Sequence, residues 1–119
     1  MHTVLLVEDS ETEAKIIETC LRRKGLSVVH AQTSEEAHER LTAQLPDLIV
    51  LDIILPGKSG FELCRQIKSN PSTKTVPIIM CSTKNTDADR MWGNMLGADA
   101  YLGKPIDQEE MLKIINELI

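Results

Sequence analysis

The sequence predicts an α/β domain built around a doubly wound, parallel sheet of five strands. Five short runs rich in Val, Ile and Leu alternate along the chain with five segments whose apolar residues recur at helical spacing. The apolar runs are nearly continuous, which is typical of strands buried on both faces. Strands and helices that alternate in this way favour a parallel sheet covered by right-handed helical crossovers. The predicted strands span residues 3–7, 26–31, 47–52, 76–82 and 99–104.

The first two helices are predicted from apolar stripes with a period of 3.6 residues. The first stripe ends before Gly25, a residue type common after the last turn of a helix. The second helix opens with a capping-box pair, Thr33 and Glu36. The apolar positions are Ala14, Ile16, Ile17, Cys20 and Leu21 in the first helix and Ala37, Leu41 and Leu45 in the second.

The third and fifth helices also carry capping pairs, Ser59 with Glu62 and Asp107 with Glu110. Their apolar stripes indicate one buried face on each helix. The buried positions are Leu63, Cys64 and Ile67 in the third helix, and the fifth helix buries some of Met111, Leu112, Ile114, Ile115, Leu118 and Ile119.

The fourth helix has an apolar stripe that ends before Gly97; it consists of Ala88, Met91, Trp92, Met95 and Leu96. A stripe at this spacing is usually buried, so we expect Met91, Trp92 and Met95 in the core. The alternative is that Trp92 or Met95 lies at the rim of a partner-binding patch, where aromatic and Met side chains are common.

The chain has 119 residues and a net charge of −5. This length predicts one domain over residues 1–119, because single domains most often contain about 100 to 150 residues. The acidic charge argues against direct binding of nucleic acid.

The apolar runs are much shorter than the about 20 residues of a membrane-spanning helix, so we expect no membrane insertion and a cytoplasmic location. The chain has three widely spaced cysteines, Cys20, Cys64 and Cys81. We expect them to be buried as apolar side chains rather than to form disulfides or bind zinc.

Polar residues follow or close four of the predicted strands: Glu8 and Asp9, Asp52, Ser82, and Lys104. The carboxyl ends of parallel strands meet at one edge of a sheet, where ligands bind. Clustered carboxylates repel one another unless a cation lies among them, and Mg²⁺ prefers carboxylate and carbonyl oxygens. A bound metal would also shield an approaching phosphoryl group, whose oxygens a lysine and a hydroxyl can bind.

Each of these residues also has a structural interpretation. Glu8 or Asp9 alone could cap the following helix, and Ser10 can cap it as well. Lys104 alone could be a solvated surface lysine, and Ser82 a turn residue. Their joint placement at strand ends favours the functional interpretation.

Four motifs, in this order, carry a family resemblance: "LLVEDS", "PDLIVLDIILPGKSGFELCRQIK", "VPIIMCS" and "GADAYLGKP". They resemble the response-regulator receiver domain, the CheY-like family, over essentially the whole chain. The resemblance implies a flavodoxin-like (βα)5 fold with strand order 2-1-3-4-5. It further implies a signalling switch of a two-component system rather than an enzyme.

The resemblance implies that Asp52 accepts a phosphoryl group from the phosphohistidine of a sensor histidine kinase. It assigns Mg²⁺ binding to Asp9 and Asp52 directly, to Glu8 through water and to the backbone carbonyl of Ile54. Lys104 matches the family's active-site lysine, Ser82 its switch hydroxyl and Tyr101 its switch aromatic residue.

Four positions near the implied site depart from common family residues or flank the path of hydrolytic water. Ser82 stands where threonine is commoner and keeps the hydroxyl. Thr83 is bulkier than the usual small residue. Ile54 and Lys84 flank the water path, which predicts slow self-dephosphorylation.

The predicted output is contact with a protein target through the fourth helix, fifth strand and fifth helix. Stand-alone receivers of chemotaxis or twitching-motility systems have a similar shape. The closest alternative is a pseudo-receiver, an interaction module that is never phosphorylated. A phosphatase of the haloacid dehalogenase class is disfavoured because Ile54 stands where its second acid is needed. A flavin-binding fold is disfavoured because Glu8 and Asp9 would repel its phosphate.

Overall fold

The computed structural model describes residues 2–119 and contains the five alternating strands and helices that the sequence predicts. The strands are β1 (Thr3–Val7), β2 (Ser27–Ala31), β3 (Leu48–Asp52), β4 (Ile78–Ser82) and β5 (Ala100–Gly103). The helices are α1 (Glu11–Arg23), α2 (Ser34–Ala43), α3 (Gly60–Ser69), α4 (Asp87–Met95) and α5 (Gln108–Leu118).

All neighbouring strands are parallel, and their order is β2-β1-β3-β4-β5, as the resemblance implies. Every residue of β3 and β4 is buried, whereas the edge strands β2 and β5 are partly exposed. The nearly continuous apolar runs therefore become the centre of the sheet, where helices cover both faces.

The core consists of two layers, one on each face of the sheet. Helices α1 and α5 bury residues such as Ile17, Leu21 and Met111 in one layer. Helices α2 and α3 bury residues such as Leu41 and Leu63 in the other layer, where α4 also lies. The three cysteines are free and buried, which confirms the prediction that they serve as apolar side chains.

The helix ends follow the predicted signals. Ser10, Thr33, Ser59 and Asp107 each accept a hydrogen bond from the backbone N–H three residues later. Gly25 and Gly97 follow α1 and α4 with φ of 86° and 104°, a conformation that favours glycine.

Three predictions about buried faces were wrong. Ile16 on α1 is exposed, and Leu45 is exposed because α2 ends two residues earlier, at Ala43. On α4 the predicted core residues Met91, Trp92 and Met95 are 64%, 48% and 70% exposed. The buried residues of α4 are instead Asp89 and Gly93. The outer surface of α4 formed by Met91, Trp92 and Met95 is called the α4 patch below.

None of the helices within residues 2–119 combines the length and apolar character that crossing a membrane requires.

Candidate functional site

The carboxyl edge of the sheet brings together residues that are far apart in the chain. Glu8 directly follows β1, Asp52 ends β3 and Lys104 directly follows β5. Backbone hydrogen bonds hold two of these positions: the Glu8 N–H donates to the Ala31 carbonyl and the Lys104 N–H to the Ser82 carbonyl, both at 3.0 Å. The predicted meeting of Glu8, Asp52 and Lys104 at this edge is therefore present in the fold.

The Lys104 ammonium is the centre of the site. Its side chain is 6% exposed, and Nζ donates to Oε1 of Glu8, to Oδ2 of Asp52 at 2.9 Å and to Oε2 of Glu13 at 3.0 Å. An ammonium has three hydrogens and cannot accept, so three carboxylates use its full capacity. The interpretation of Lys104 as a solvated surface lysine is wrong.

Glu13 is the residue of this site that we did not predict. Ser10 caps α1 by accepting from the Glu13 N–H at 3.3 Å, so the first turn fixes where Glu13 lies. The sequence "SETE" did carry a signal, a capping-box pattern with Glu13 at its third position. The Glu13 carboxylate does not complete that box, because Glu8 Oε2 accepts from the Ser10 N–H at 3.1 Å and Glu13 reaches Lys104 instead.

Burial and charge act in opposite directions on the two central ionisable groups. Burial raises the pKa of the Glu8 carboxyl, and the hydrogen bond from Lys104 offsets part of this effect. Burial by itself would lower the pKa of Lys104, but the hydrogen bonds to Glu8, Asp52 and Glu13 outweigh it and raise the pKa. Lys104 is therefore held as a cation at neutral pH.

The carboxylates also form a set that suits a hard cation. Glu8, Glu13 and Asp52 each offer an oxygen atom, and these three atoms lie within 4.8 Å of one another. Asp9, the predicted direct ligand, is exposed beside Glu8, and within residues 2–119 it is not one of this group of three. The other Asp52 oxygen, Oδ1, accepts from the Ile54 N–H at 3.1 Å. Mg²⁺ prefers oxygen ligands, but these three carboxylates are also the ones that surround the Lys104 ammonium.

The predicted switch hydroxyl, Ser82, is fully buried at the end of β4. Its Oγ accepts from the Lys84 N–H at 3.2 Å. Thr83 and Lys84 are exposed, and the Lys84 ammonium lies 2.8 Å from Oδ1 of Asp89 on α4. The hydrogen bonds from Lys84 and Thr86 lower the pKa of the Asp89 carboxyl. The loop between β4 and α4 is thus joined to the first turn of α4.

Tyr101 lies half-buried on β5 beside the same loop. Its hydroxyl donates to the Lys84 carbonyl, and the Arg90 guanidinium lies 5.4 Å from the centre of its ring. Arg90 Nη1 also donates to the Tyr101 carbonyl at 3.0 Å. Burial raises the pKa of Tyr101 to about 12. The predicted switch aromatic residue therefore contacts both the loop and α4.

Comparison with known proteins identifies this arrangement. The sequence-family model of the response regulator receiver domain matches residues 4–116. Protein PilH of Pseudomonas aeruginosa is 34% identical over 119 residues, which cover all of this chain and 98% of PilH. Transcriptional regulatory proteins match as well, and the chain spans about half of their length.

Solved structures agree with the sequence comparison. Chemotaxis protein CheY4 of Vibrio cholerae has a TM-score of 0.92 and 28% identity, with 100% of this chain and 99% of CheY4 covered. The Mn²⁺-bound form of response regulator Rcp1 has a TM-score of 0.82 and 26% identity, with 99% of this chain and 91% of Rcp1 covered. The family match, the strand order and the acid–lysine site lead to one assignment: this chain belongs to the response regulator receiver domain family of two-component signalling.

Proposed function

We propose that residues 1–119 form one receiver domain in which Asp52 accepts a phosphoryl group from a phosphohistidine of a sensor histidine kinase. The observation that carries this proposal is the buried Lys104 ammonium, which contacts both Asp52 and Glu8 at the carboxyl edge of the sheet. A lysine held in this place supplies positive charge where phosphoryl oxygens would arrive.

The chemistry requires little from the protein beyond positioning and charge. An oxygen of the ionised Asp52 carboxylate attacks phosphorus, the new P–O bond forms and the P–N bond to the donor histidine breaks. The histidine nitrogen keeps the electron pair and takes a proton from solvent. No base is needed because the nucleophile is already ionised. Lys104 neutralises charge on the phosphoryl oxygens, and the Ile54 N–H orients Asp52.

Mg²⁺ is part of the proposal. The carboxylates of Glu8, Asp9 and Asp52 and the carbonyl of Ile54 would hold it, with Glu8 acting through water. When bound, the ion supplies charge that offsets the repulsion between the acids and the phosphoryl oxygens. Two of these acids, Glu8 and Asp52, lie close together in the carboxylate group described above, which supports this role, as does the Mn²⁺-bound form of the related Rcp1.

We further propose that Ser82 and Tyr101 transmit the change. The Ser82 hydroxyl would turn toward the new phosphoryl oxygens, and Tyr101 would move into the space that it leaves. In the structure both side chains form hydrogen bonds with the backbone of Lys84: the Ser82 hydroxyl accepts from its N–H, and the Tyr101 hydroxyl donates to its carbonyl. Because one loop residue holds both, a movement of Ser82 would disturb Tyr101. Two alternative arrangements of this kind define a conformational switch.

The proposed output is binding of a protein target through α4, β5 and α5. The α4 patch supports it, since exposed Met and aromatic side chains are enriched in protein interfaces. A motility pathway remains a prediction from the resemblance, and a cytoplasmic location remains a prediction from the sequence pattern.

Slow self-dephosphorylation is the last part of the proposal. Ile54 is 55% exposed beside Asp52, while Thr83 and Lys84 are exposed next to Ser82. We expect these side chains to hinder the hydrolytic water, so that Ile54→Asn shortens the lifetime of the phosphorylated form. A lifetime that stays the same or lengthens would contradict this modulation.

The central test is incubation with acetyl phosphate and Mg²⁺ followed by intact-mass measurement. The native chain should gain the mass of one phosphoryl group, and Asp52→Asn should gain none. Omission of Mg²⁺ should abolish the gain. A native chain that gains no mass, or an Asp52→Asn chain that gains as much, would overturn phosphorylation at Asp52 and favour a pseudo-receiver.

A further inference from the structure

The three carboxylates around Lys104 differ in what they lose if the ammonium moves away. The side chains of Glu8 and Asp52 are 2% and 7% exposed, whereas that of Glu13 is 44% exposed. A buried carboxylate that loses the Lys104 ammonium remains poorly solvated, which is costly. A half-exposed carboxylate exchanges the lost hydrogen bond for water. Glu13 is therefore the partner that Lys104 can release most easily.

Phosphorylation of Asp52 creates a demand for a hydrogen of Lys104. The Lys104 ammonium has three hydrogens, and all of them are already donated to Glu8, Asp52 and Glu13. If phosphorus bonds to Oδ1 of Asp52, Oδ2 stays a carbonyl acceptor for Lys104, and a phosphoryl oxygen can then bind Lys104 only if Glu8 or Glu13 gives up its hydrogen bond.

We infer that Glu13 is a positioning residue that occupies the third hydrogen of Lys104 before phosphorylation and yields it to the phosphoryl group. This role rests on the proposed phosphorylation of Asp52. In the resting site, the Glu13 carboxylate takes the place that a phosphoryl oxygen takes later. It holds Lys104 at the carboxyl edge and competes with the incoming group.

Charge acts in the same direction as this competition. Glu8, Glu13 and Asp52 place three negative charges around the single positive charge of Lys104. Glu13 lies on the first turn of α1, outside the strand ends that supply the other two acids. Its charge adds to the repulsion of an anionic phosphoryl donor.

The test compares Glu13→Gln with the native chain in acetyl phosphate and Mg²⁺, by quenched time courses and intact mass. The concentration of acetyl phosphate that gives half-maximal rate should fall about threefold to tenfold, the size expected for a partly exposed charge near the reacting group. The maximal rate should change less than about twofold, because Glu13 does not touch the attacked phosphorus and a uniform binding effect leaves that rate unchanged. A misplaced Lys104 would instead lower the maximal rate.

Glu11→Gln is the matched control. Glu11 lies in the same first turn and loses the same charge, but it is exposed and accepts from Gln32 Nε2 at 3.3 Å. This variant should behave as the native chain does.

A second variant, Glu13→Asp, keeps the charge but is one methylene shorter. Because it frees the hydrogen of Lys104, its half-saturating concentration of acetyl phosphate should fall by part of the amount expected for Glu13→Gln.

The outcomes separate the two levels of the proposal. If native Asp52 is phosphorylated and Glu13→Gln has the native half-saturating concentration or a higher one, Glu13 is not a competitor and this inference is wrong. The half-saturating concentration of acetyl phosphate could also fall in Glu13→Gln and stay native in Glu13→Asp. That result would show charge repulsion without competition for the Lys104 hydrogen, and it would also overturn this inference. If the native chain gains no phosphoryl group at all, the proposed function fails, and the role of Glu13 fails with it.

Discussion

Helices α3 and α4 lie on the same face of the sheet but are used in opposite ways. The apolar residues of α3, namely Leu63, Cys64 and Ile67, are buried against the sheet. On α4 the residues of the α4 patch face outward, and Gly93 faces the sheet. The two helices show that an apolar stripe predicts a helix but does not determine which side of it is covered.

The environment of α4 explains the difference. An added Cβ at Gly93 would lie 2.9 Å from Met80 Sδ and 3.1 Å from the Tyr101 ring, so the helix backbone packs directly on these side chains. Asp89 is buried because it completes a capping box with Thr86, whose N–H and hydroxyl both donate to it. The buried side of α4 therefore needs a small residue and a cap, and the large apolar side chains are left for the surface.

The largest difference between the two helices should appear when large apolar side chains are truncated. Leu63→Ala should lower the free energy of unfolding by about 2 to 5 kcal/mol, because Leu63 is fully buried. Met95→Ala should change it by less than about 0.5 kcal/mol, because Met95 is 70% exposed. Urea unfolding followed by circular dichroism measures both. Equal losses would mean that the α4 patch is covered in solution.

A smaller difference should separate two glycine substitutions. A Cβ at Gly60 would overlap the Asp52 carbonyl oxygen and lie 2.6 Å from Ile53 Cα, and backbone atoms cannot turn away. Gly60→Ala should therefore cost about 2 to 3 kcal/mol, at the upper end for overpacking. Gly93→Ala should cost about 1 kcal/mol or less, since Met80 can move and alanine favours a helix.

The Gly60 and Gly93 variants can be compared by thermal and urea unfolding. The Gly93 variant should also change the near-ultraviolet signal of Tyr101, whose ring it would contact. A greater loss for Gly93→Ala than for Gly60→Ala would contradict the close but adaptable packing of α4.

The reactivity of cysteine thiols should distinguish α3 from α4 without a change in the stability of the protein. Burial raises the pKa of Cys64 on α3 to about 11, which reduces its thiolate at pH 8 by about a hundredfold relative to an ordinary thiol. A cysteine introduced as Met95→Cys on α4 should react quickly with an aromatic disulfide reagent, while the three native cysteines react only after unfolding. Rapid reaction of the unaltered native chain would contradict the buried face of α3.

The smallest expected effect concerns the cap of α4. The pKa of Asp89 is below its usual value, so its contribution to stability is present above the unfolded pKa and is lost as pH falls through the folded pKa. The native chain should exceed Asp89→Asn in stability near neutral pH, and the difference should shrink below about pH 4, where the unfolded carboxyl begins to bind protons. The measurement is urea unfolding at several pH values. A difference independent of pH would show that the Asp89 charge does not stabilise the cap.

Much of the fold was predictable because it depends on local periodicity and on the geometry of parallel strands. The same reasoning placed Glu8, Asp52 and Lys104 at one edge, since each ends or follows a strand. Ser10 was also predictable as a cap, but the direction of Glu13 was not. That direction depends on Glu8 taking the Ser10 N–H, a contact that forms only after β1 and α1 are in place.

The orientation of α4 was not predictable for a related reason. Its apolar stripe is as regular as that of α3, and only the distance from its backbone to Met80 and Tyr101 decides which side fits. Asp9 was predicted as a direct metal ligand and remains a prediction.

The position of Lys104 in the chain also bears on synthesis. Its three partners lie at residues 8, 13 and 52, so they leave the ribosome well before the Lys104 cation that they share. A nascent chain that stops short of residue 104 carries these acids without their counter-charge, and it lacks helix α5. Because domains fold as units during translation, a fragment of this protein can form strands early yet cannot assemble a receptive site. Acceptance of a phosphoryl group would thus report that nearly the whole fold has been completed.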